Sequence, residues 1–165
     1  MTKASLFFRL PSSMGVLELS SEVLAHFEAN KQRRCFSREA GGQLFATFNQ
    51  PSVIKIVKAT GPRATDQRSV FGYEPDRAAE KIEIWENYAQ GIHFIGDWHT
   101  HRQKIPKPSS TDDNSMRDMV QQSSHDLDGF IMIIVGQAGF PEGIYVSFHS
   151  RKSSVQLRSL GYNFR

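Results

Sequence analysis

The stretch of sequence that decides the fold is Gly96–Asp113, GDWHTHRQKIPKPSSTDD, which carries two histidines at the end of an apolar segment. His99 and His101 are two residues apart, so both side chains point to one face if the preceding strand continues through them. Their Cα atoms would then lie about 6.5–7 Å apart. At that separation two imidazoles can reach one ion at bond lengths of about 2.0–2.1 Å. The spacing therefore predicts half of a metal site.

The second half of the same stretch offers a third ligand. Arg102–Pro108 contains two prolines, which would keep the chain extended until a helix begins at Ser109. Ser109 and Asp112 are three residues apart and would share the first turn of that helix. Two histidines and one aspartate around an ion leave a position open for water, whose pKa would fall towards about 7.

Two other interpretations of these residues remain open at the level of spacing. Ser109 with Asp112 also matches a capping box, in which both side chains satisfy backbone N–H groups at a helix start. Asp97 lies on the same predicted strand face as the histidines, so it competes with Asp112 for the third ligand position.

A hydrolase that uses zinc-bound water also needs a general base. The chain has no HExxH motif, so this base does not lie beside the histidines in sequence. The candidates are Glu39, Glu74, Glu80 and Glu83. Glu39 stands out because it precedes Ala40-Gly41-Gly42, where glycines permit close approach of another backbone segment.

Outward from this stretch, apolar patterns predict a mixed α/β (α+β) domain with a sheet flanked by helices. The predicted strands are Leu6–Leu10, Val16–Leu19, Gln43–Phe48, Val53–Ala59, Ile92–Trp98, Phe130–Val135, Ile144–Phe148 and Val155–Leu160. Phe130–Val135 is six apolar residues in a row, which indicates a strand buried on both faces. Residues 61–73 (Gly61–Tyr73) are predicted to form a long loop.

Three helices complete the predicted domain, which spans residues 1–165. The first is capped by Ser20 or Ser21, the second begins at Pro75 and ends at Gly91, and the third begins at Ser109. The positions expected to face the core are Val23, Leu24 and Phe27; Ala78, Ile82, Trp85 and Ala89; and Met116, Met119 and Val120.

Composition excludes several classes of protein. The chain has 165 residues and is 39% hydrophobic, enough for one packed domain, and no apolar run is long enough to span a membrane. Cys35 is the single cysteine, and we expect it to be a small buried apolar residue. Because one cysteine cannot form an internal disulfide, a cytoplasmic location is expected. The net charge of +3 concentrates in Lys31–Arg38 and Arg151–Arg165, which we interpret as solvated surface rather than a specific nucleic-acid site.

The candidate metal ligands and the candidate base resemble the sequence pattern of a known family. His99-Thr100-His101, seven residues, Ser109, two residues and Asp112 match in full the HxHx7SxxD pattern of the JAMM (MPN-plus) zinc metallopeptidases. Glu39-Ala40-Gly41-Gly42-Gln43-Leu44 resembles the segment at which that family places its catalytic glutamate. The resemblance implies a curved sheet in a cytidine-deaminase-like fold.

The resemblance also implies a role for each matched position. His99, His101 and Asp112 would bind Zn²⁺, and Glu39 would deprotonate the water and then protonate the departing amine. Ser109 would stabilise the oxyanion as a hydrogen-bond donor. Many members have proline after the second histidine, where this chain has Arg102, so loop shape and substrate preference are expected to differ.

Members of this family cut isopeptide or peptide bonds at the extended C-terminal tail of ubiquitin or ubiquitin-like proteins. By analogy, Gly61–Tyr73 would help to shape the groove for such a tail. EAGGQLFA and GDWHTHRQKIPKPSSTD resemble the deconjugating branch from CBASS antiphage operons, which implies a CD-NTase-type nucleotide cyclase conjugate as substrate. The alternatives are a peptidase of another bacterial ubiquitin-like operon and a non-catalytic MPN-type scaffold.

Overall fold

A single curved sheet organises the fold of the computed structural model, which describes residues 4–123 and 127–162. Its strands are β1 (Leu6–Arg9), β2 (Val16–Leu19), β3 (Gly41–Gln50), β4 (Val53–Ala59), β7 (His93–Thr100), β8 (Phe130–Val135), β9 (Ile144–His149), β10 (Ser154–Gln156) and β11 (Arg158–Gly161). A separate hairpin consists of β5 (Gln67–Ser69) and β6 (Gly72–Glu74). The helices are α1 (Ser21–Asn30), α2 (Arg77–Ala89) and α3 (Ser110–Gln122).

The strand order in the large sheet is β10-β9-β8-β7-β3-β4-β2-β1-β11. β2 pairs with β4 and β7 with β8 in parallel, and the other neighbours are antiparallel. β10 and β11 lie at opposite ends of this order although Leu157 alone separates them in the chain, so the sheet curves until it nearly closes. The predicted mixed α/β class with a curved sheet is confirmed.

The predicted interior is confirmed for strand β8 and for two of the helices. All six residues of β8 are buried. Ser20 caps α1 through a hydrogen bond from the Val23 N–H to its hydroxyl. The buried apolar positions on α1 and α3 are Val23, Leu24 and Phe27, and Met116 and Val120, with Met119 partly buried against them.

The prediction for α2 is wrong in two respects. Asp76, not Pro75, starts the helix, because its carboxylate accepts hydrogen bonds from the Ala78 and Ala79 N–H groups. The predicted apolar positions are exposed, with Ile82 at 59% and Trp85 at 77% of full exposure. The helix instead turns polar residues inward towards β3 and β7, namely Glu80 and Asn87.

The predicted long loop contains ordered structure. Arg68 and Tyr73 pair across the β5–β6 hairpin. Arg63 anchors the preceding segment to α2 through hydrogen bonds of 2.6 and 2.5 Å to the two carboxylate oxygens of Glu83. The Tyr73 hydroxyl donates to Asp66 at 2.8 Å. Because Arg63 and Glu83 are 20 residues apart, local composition could not indicate the contact that anchors this segment.

Two smaller expectations are also corrected. The predicted strand Val155–Leu160 is divided, because Leu157 is buried and donates its N–H to the Val146 carbonyl, between β10 and β11. Cys35 is exposed rather than buried. The end of the basic C-terminal segment, residues 163–165, lies outside the described residues. No helix in the described ranges is long and apolar enough to cross a membrane.

Candidate metal centre

Strand β7 carries the first candidate ligand to the edge of the core. Trp98 and Thr100 point into the interior, so His99 between them faces the opposite side of the sheet. The chain continues beyond β7 alongside β8, where the His101 N–H donates to the Val135 carbonyl at 3.0 Å. As a result, the Nε2 atoms of His99 and His101 lie 3.1 Å apart.

The first turn of α3 brings a carboxylate to the same point. Asp112 Oδ1 lies 3.1 Å from His99 Nε2, and Oδ2 lies 3.3 Å from His101 Nε2. One donor atom from each of the three side chains falls within 4.8 Å of the others. Two imidazole nitrogens and one carboxylate oxygen are the donor set of an open zinc site, so the residues present fit such an ion.

The capping interpretation and the ligand interpretation of Asp112 hold together. The Ser109 hydroxyl accepts from the Asp112 N–H at 3.2 Å, and the Ser109 N–H donates to Asp112 Oδ2 at 2.7 Å. The capping box therefore fixes the rotamer that directs the carboxylate at both imidazoles. Asp97 does not belong to the metal-competent group found among the described residues, although it lines the same cavity.

The charges around this point favour a cation. Burial acts to raise the pKa of the Asp112 carboxyl, but hydrogen bonds from His101 and His99 hold it well below its usual range. Burial acts to lower the pKa of His101, but hydrogen bonding to Asp112 raises it. An ionised carboxylate thus lies between two imidazoles, where a divalent ion could replace the protons.

Glu39 lies at the start of β3 and lines the same cavity. Its neighbour Ala40 is held by two hydrogen bonds with Thr100, one from the Ala40 N–H at 3.0 Å and one to the Ala40 carbonyl at 2.8 Å. The predicted close approach is confirmed at Gly42, where an added Cβ would lie 1.8 Å from the Thr60 carbonyl oxygen. Burial raises the pKa of Glu39, against the opposing fields of His99 and His101.

The other candidate bases differ in their surroundings. Glu74 is exposed at the end of β6, and Glu83 is bound to Arg63. Glu80 lines the cavity but is paired with Arg77 at 2.8 Å. Of the four glutamates, Glu39 is therefore the one that both lines the cavity and forms no ion pair in the described part of the chain.

The cavity measures about 350 Å³ and extends from the candidate ligands towards α2. Phe71 and Tyr73 from the β5–β6 hairpin form one of its walls, and Asp97 lies on it together with Arg77 and Glu80. Sequence reasoning missed this hairpin wall. The signal present in the sequence was Gly72, a turn-favouring residue type that opens β6 directly after the two-residue turn at Val70 and Phe71.

The fold and the matched family together define this chain as a JAB-type domain. Residues 21–149 match the family described as prokaryotic homologs of the JAB domain, so this chain belongs to that family. The solution structure of protein DSY2949 from Desulfitobacterium hafniense shares the fold, with a TM-score of 0.59 and 15% sequence identity, over 84% of this chain and 87% of that one.

The chain is also similar in sequence to three proteins with descriptive names. The chain is 33% identical over 115 residues to the CD-NTase/cGAS isopeptidase of Enterobacter hormaechei subsp. hoffmannii, which covers 65% of this chain and 59% of that protein. It is 29% identical over 129 residues to a protein of the same name from Pseudomonas aeruginosa, covering 74% and 78%. It is also 29% identical over 108 residues to the probable metalloprotease y4qB of Sinorhizobium fredii, covering 63% and 65%. The matched region spans less than two thirds of the length of the Enterobacter and Sinorhizobium proteins.

Proposed function

We propose that this chain is a zinc-dependent isopeptidase that hydrolyses the bond after the C-terminal tail of a conjugated protein. The observation that carries the proposal is the convergence of His99 Nε2, His101 Nε2 and an Asp112 oxygen beside Glu39 in one cavity. His99, His101 and Asp112 would hold Zn²⁺, which when bound polarises a carbonyl group and lowers the pKa of water.

The protein side chains would divide the proton transfers and charge stabilisation between them. Glu39, whose pKa burial already raises, would accept the proton of the attacking water and pass it to the departing amine. The Ser109 hydroxyl accepts one hydrogen bond, from the Asp112 N–H, so its own proton remains available for a developing oxyanion.

For the substrate, we propose a CD-NTase-type nucleotide cyclase joined through its C-terminus to another protein in the cytoplasm. Two relatives named CD-NTase/cGAS isopeptidase support this choice. A ubiquitin-like protein from another bacterial operon is the alternative donor. An extended tail would enter between the hairpin wall at Phe71 and Tyr73 and the start of α3 at Ser109.

The test is release of a reporter protein fused to the C-terminus of such a cyclase. Glu39→Gln should reduce cleavage by at least about 100-fold while zinc stays bound, because only the proton carrier is lost. Chelation should abolish cleavage, and added zinc should restore it. Glu142→Gln, at an exposed glutamate outside the cavity, is the matched control and should cleave normally.

Full cleavage by Glu39→Gln would remove Glu39 from the mechanism. A purified protein that holds no zinc, cleaves nothing and still binds the conjugate would instead support the non-catalytic scaffold.

A further inference from the structure

Three segments around the metal centre carry a concentration of positive charge. They are residues 31–38 (KQRRCFSR), 67–72 (QRSVFG) and 102–108 (RQKIPKP). Together they hold eight of the chain's 20 Lys and Arg residues and none of its 17 Asp and Glu residues. Lys31 is buried and the other seven are at least partly exposed, although the net charge of the whole chain is only +3. We call these three segments the basic face.

Hydrogen bonds tie the basic face to the candidate catalytic residues. Arg102, directly after His101, donates from Nη1 to the Cys35 carbonyl at 2.7 Å. Arg68 donates from Nε to the Glu39 carbonyl at 2.6 Å, and the Glu39 N–H donates to the Ser69 carbonyl at 2.8 Å. The three segments thus meet beside the residues proposed to hold the metal and move the proton.

Most of this charge has no counter-charge within the described residues. Lys31 and Arg33 both pair with Glu28, which leaves six cations that form no ion pair there. These six are Arg34, Arg38, Arg68, Arg102, Lys104 and Lys107, all exposed except the half-buried Arg68. Burial and the like charge of Arg38 both lower the pKa of Arg68, as expected where cations crowd together.

The basic face also presents two aromatic side chains to solvent. Phe36 is 74% exposed and Phe71 is 84% exposed. The Arg102 guanidinium lies 5.8 Å from the centre of the Phe71 ring, so the charge and the apolar surface are contiguous. Exposed aromatic rings beside unpaired arginines are the composition of a binding surface rather than of a solvated one.

We propose that the basic face binds an acidic segment of the protein substrate, with an apolar residue beside the acids, next to the scissile bond. This inference rests on the proposed isopeptidase function. Phe71 lines the cavity of His99 and His101, and Arg102 lies beside Phe71. A chain whose scissile bond reaches the two histidines along this wall would therefore pass these side chains, where its carboxylates would meet uncompensated cations. A nucleic acid would satisfy the same charges but has no reason to lie beside a peptide-cleaving centre.

A binding measurement tests the charge requirement without catalysis. The probe is a short fluorescein-labelled peptide rich in Glu with one Phe, titrated with Glu39→Gln protein at low ionic strength. Lys104→Glu combined with Lys107→Glu should weaken binding about tenfold, and added salt should weaken binding to the unaltered face. Arg151→Glu with Lys152→Glu makes the same charge change at two exposed residues of the β9–β10 turn and should change affinity less than about twofold.

A kinetic measurement links the basic face to turnover. Two isopeptide-linked substrates differ only in having Glu or Gln residues near the scissile bond. In one arm of the experiment these residues lie on one side of the bond, and in a second arm they lie on the other side. The Lys104→Glu, Lys107→Glu protein should raise KM for the Glu substrate about tenfold and leave kcat and the Gln substrate unaffected.

The outcomes separate the two proposals. If no substrate is hydrolysed by any variant, the isopeptidase proposal fails while the peptide titration still decides the role of the basic face. Equal losses in the two charge-reversed proteins would overturn that role. Tighter binding of a single-stranded oligonucleotide than of the acidic peptide at equal charge would also overturn it, in favour of nucleic acid.

Discussion

At the scale of single residues, Asp112 shows why neither interpretation of the SxxD spacing excludes the other. One carboxylate oxygen accepts the Ser109 N–H that begins α3, and both oxygens face imidazole nitrogens. A residue at the third position of a helix has a restricted rotamer when it closes a capping box. Helix capping therefore preorganises the candidate ligand.

Substitution of Asp112 should separate its two roles. Asp112→Asn keeps an oxygen for the Ser109 N–H, so it should lose zinc and activity but little stability. Asp112→Ala should lose zinc and, in chelator, about 1 kcal/mol of unfolding free energy as well, because the Ser109 N–H loses its acceptor while the Ser109 hydroxyl keeps its bond from the backbone N–H of residue 112. Zinc content and urea unfolding are the measurements, with Asp113→Asn in the same turn as control. Full zinc and activity in Asp112→Ala would refute the ligand assignment.

The raised pKa of Asp97 should make the free energy of unfolding depend on pH. Burial and the neighbouring charge of Glu80 raise the pKa of Asp97 to about 7, against an unfolded value of about 3.9. The folded state binds the proton of the Asp97 carboxyl more tightly than the unfolded state does. The stabilisation that this bound proton gives is complete below about pH 4 and is lost as pH rises through about 7. Relative to the native chain, Asp97→Asn should therefore gain about 2–3 kcal/mol in unfolding free energy between pH 5 and pH 8.

Urea unfolding in the presence of chelator at the two pH values measures this difference. A difference between variant and native chain that stays constant with pH would contradict it. The same variant should keep its zinc, since the three candidate ligands are elsewhere.

At the scale of elements, long-range ion pairs hold the hairpin wall of the cavity. Arg63 joins the segment before β5 to α2 through Glu83 and also lies 3.6 Å from Asp66, which accepts from Tyr73. The Asp66 side chain is fully buried and that of Arg63 is 11% exposed. The position of Tyr73 therefore depends on a pair formed with another element.

Replacing Arg63 with Gln should leave buried carboxylates without their partner and lower the free energy of unfolding by about 3 kcal/mol. Activity should fall even where the protein remains folded, because Phe71 and Tyr73 would lose their support. Urea unfolding and amide exchange of residues 67–74 measure the two effects. Lys55→Gln breaks a more exposed pair with Glu18 and should cost less than about 1 kcal/mol. Equal losses in both variants would contradict the anchoring role.

At the scale of the whole molecule, the curvature of the sheet is set where the chain passes from one end of it to the other. Leu157 is buried between β10, which pairs with β9, and β11, which pairs with β1. Its N–H also bonds to Val146 at 2.8 Å. The buried Leu157 thus lies where the chain passes between the two ends of a nine-stranded sheet.

Leu157→Ala should cost about 2–4 kcal/mol of unfolding free energy, because it leaves a cavity where the sheet nearly closes. Val155→Ala, at a position 42% exposed on β10, should cost less than about 1 kcal/mol. Chemical denaturation of both variants in parallel gives the comparison. A loss at Leu157 no larger than that at Val155 would show that the closure contributes little.

Much of the fold was predictable because it depends on local periodicity. Strand β8 is a continuous apolar run, and α1 and α3 each carry a serine cap before an apolar face. The exposed face of α2 was mispredicted because Ile82 and Trp85 follow helical spacing. The buried polar residues of α2 have partners instead: Glu80 pairs with Arg77 in the same helix, and Asn87 accepts a hydrogen bond from Lys58 on β4. Periodicity cannot distinguish an apolar face that is buried from one that is exposed.

The sequence by itself determined which residues could form the candidate site, because HxH on a strand and SxxD at a helix start each follow from local geometry. Only the tertiary structure decided that Asp112, rather than Asp97, reaches both imidazoles, and that Glu39 enters the same cavity. The pairing of β3 with β7 and the docking of α3 on β8 and β9 bring these positions together. Such contacts depend on packing between segments far apart in the chain, which spacing within one segment does not encode.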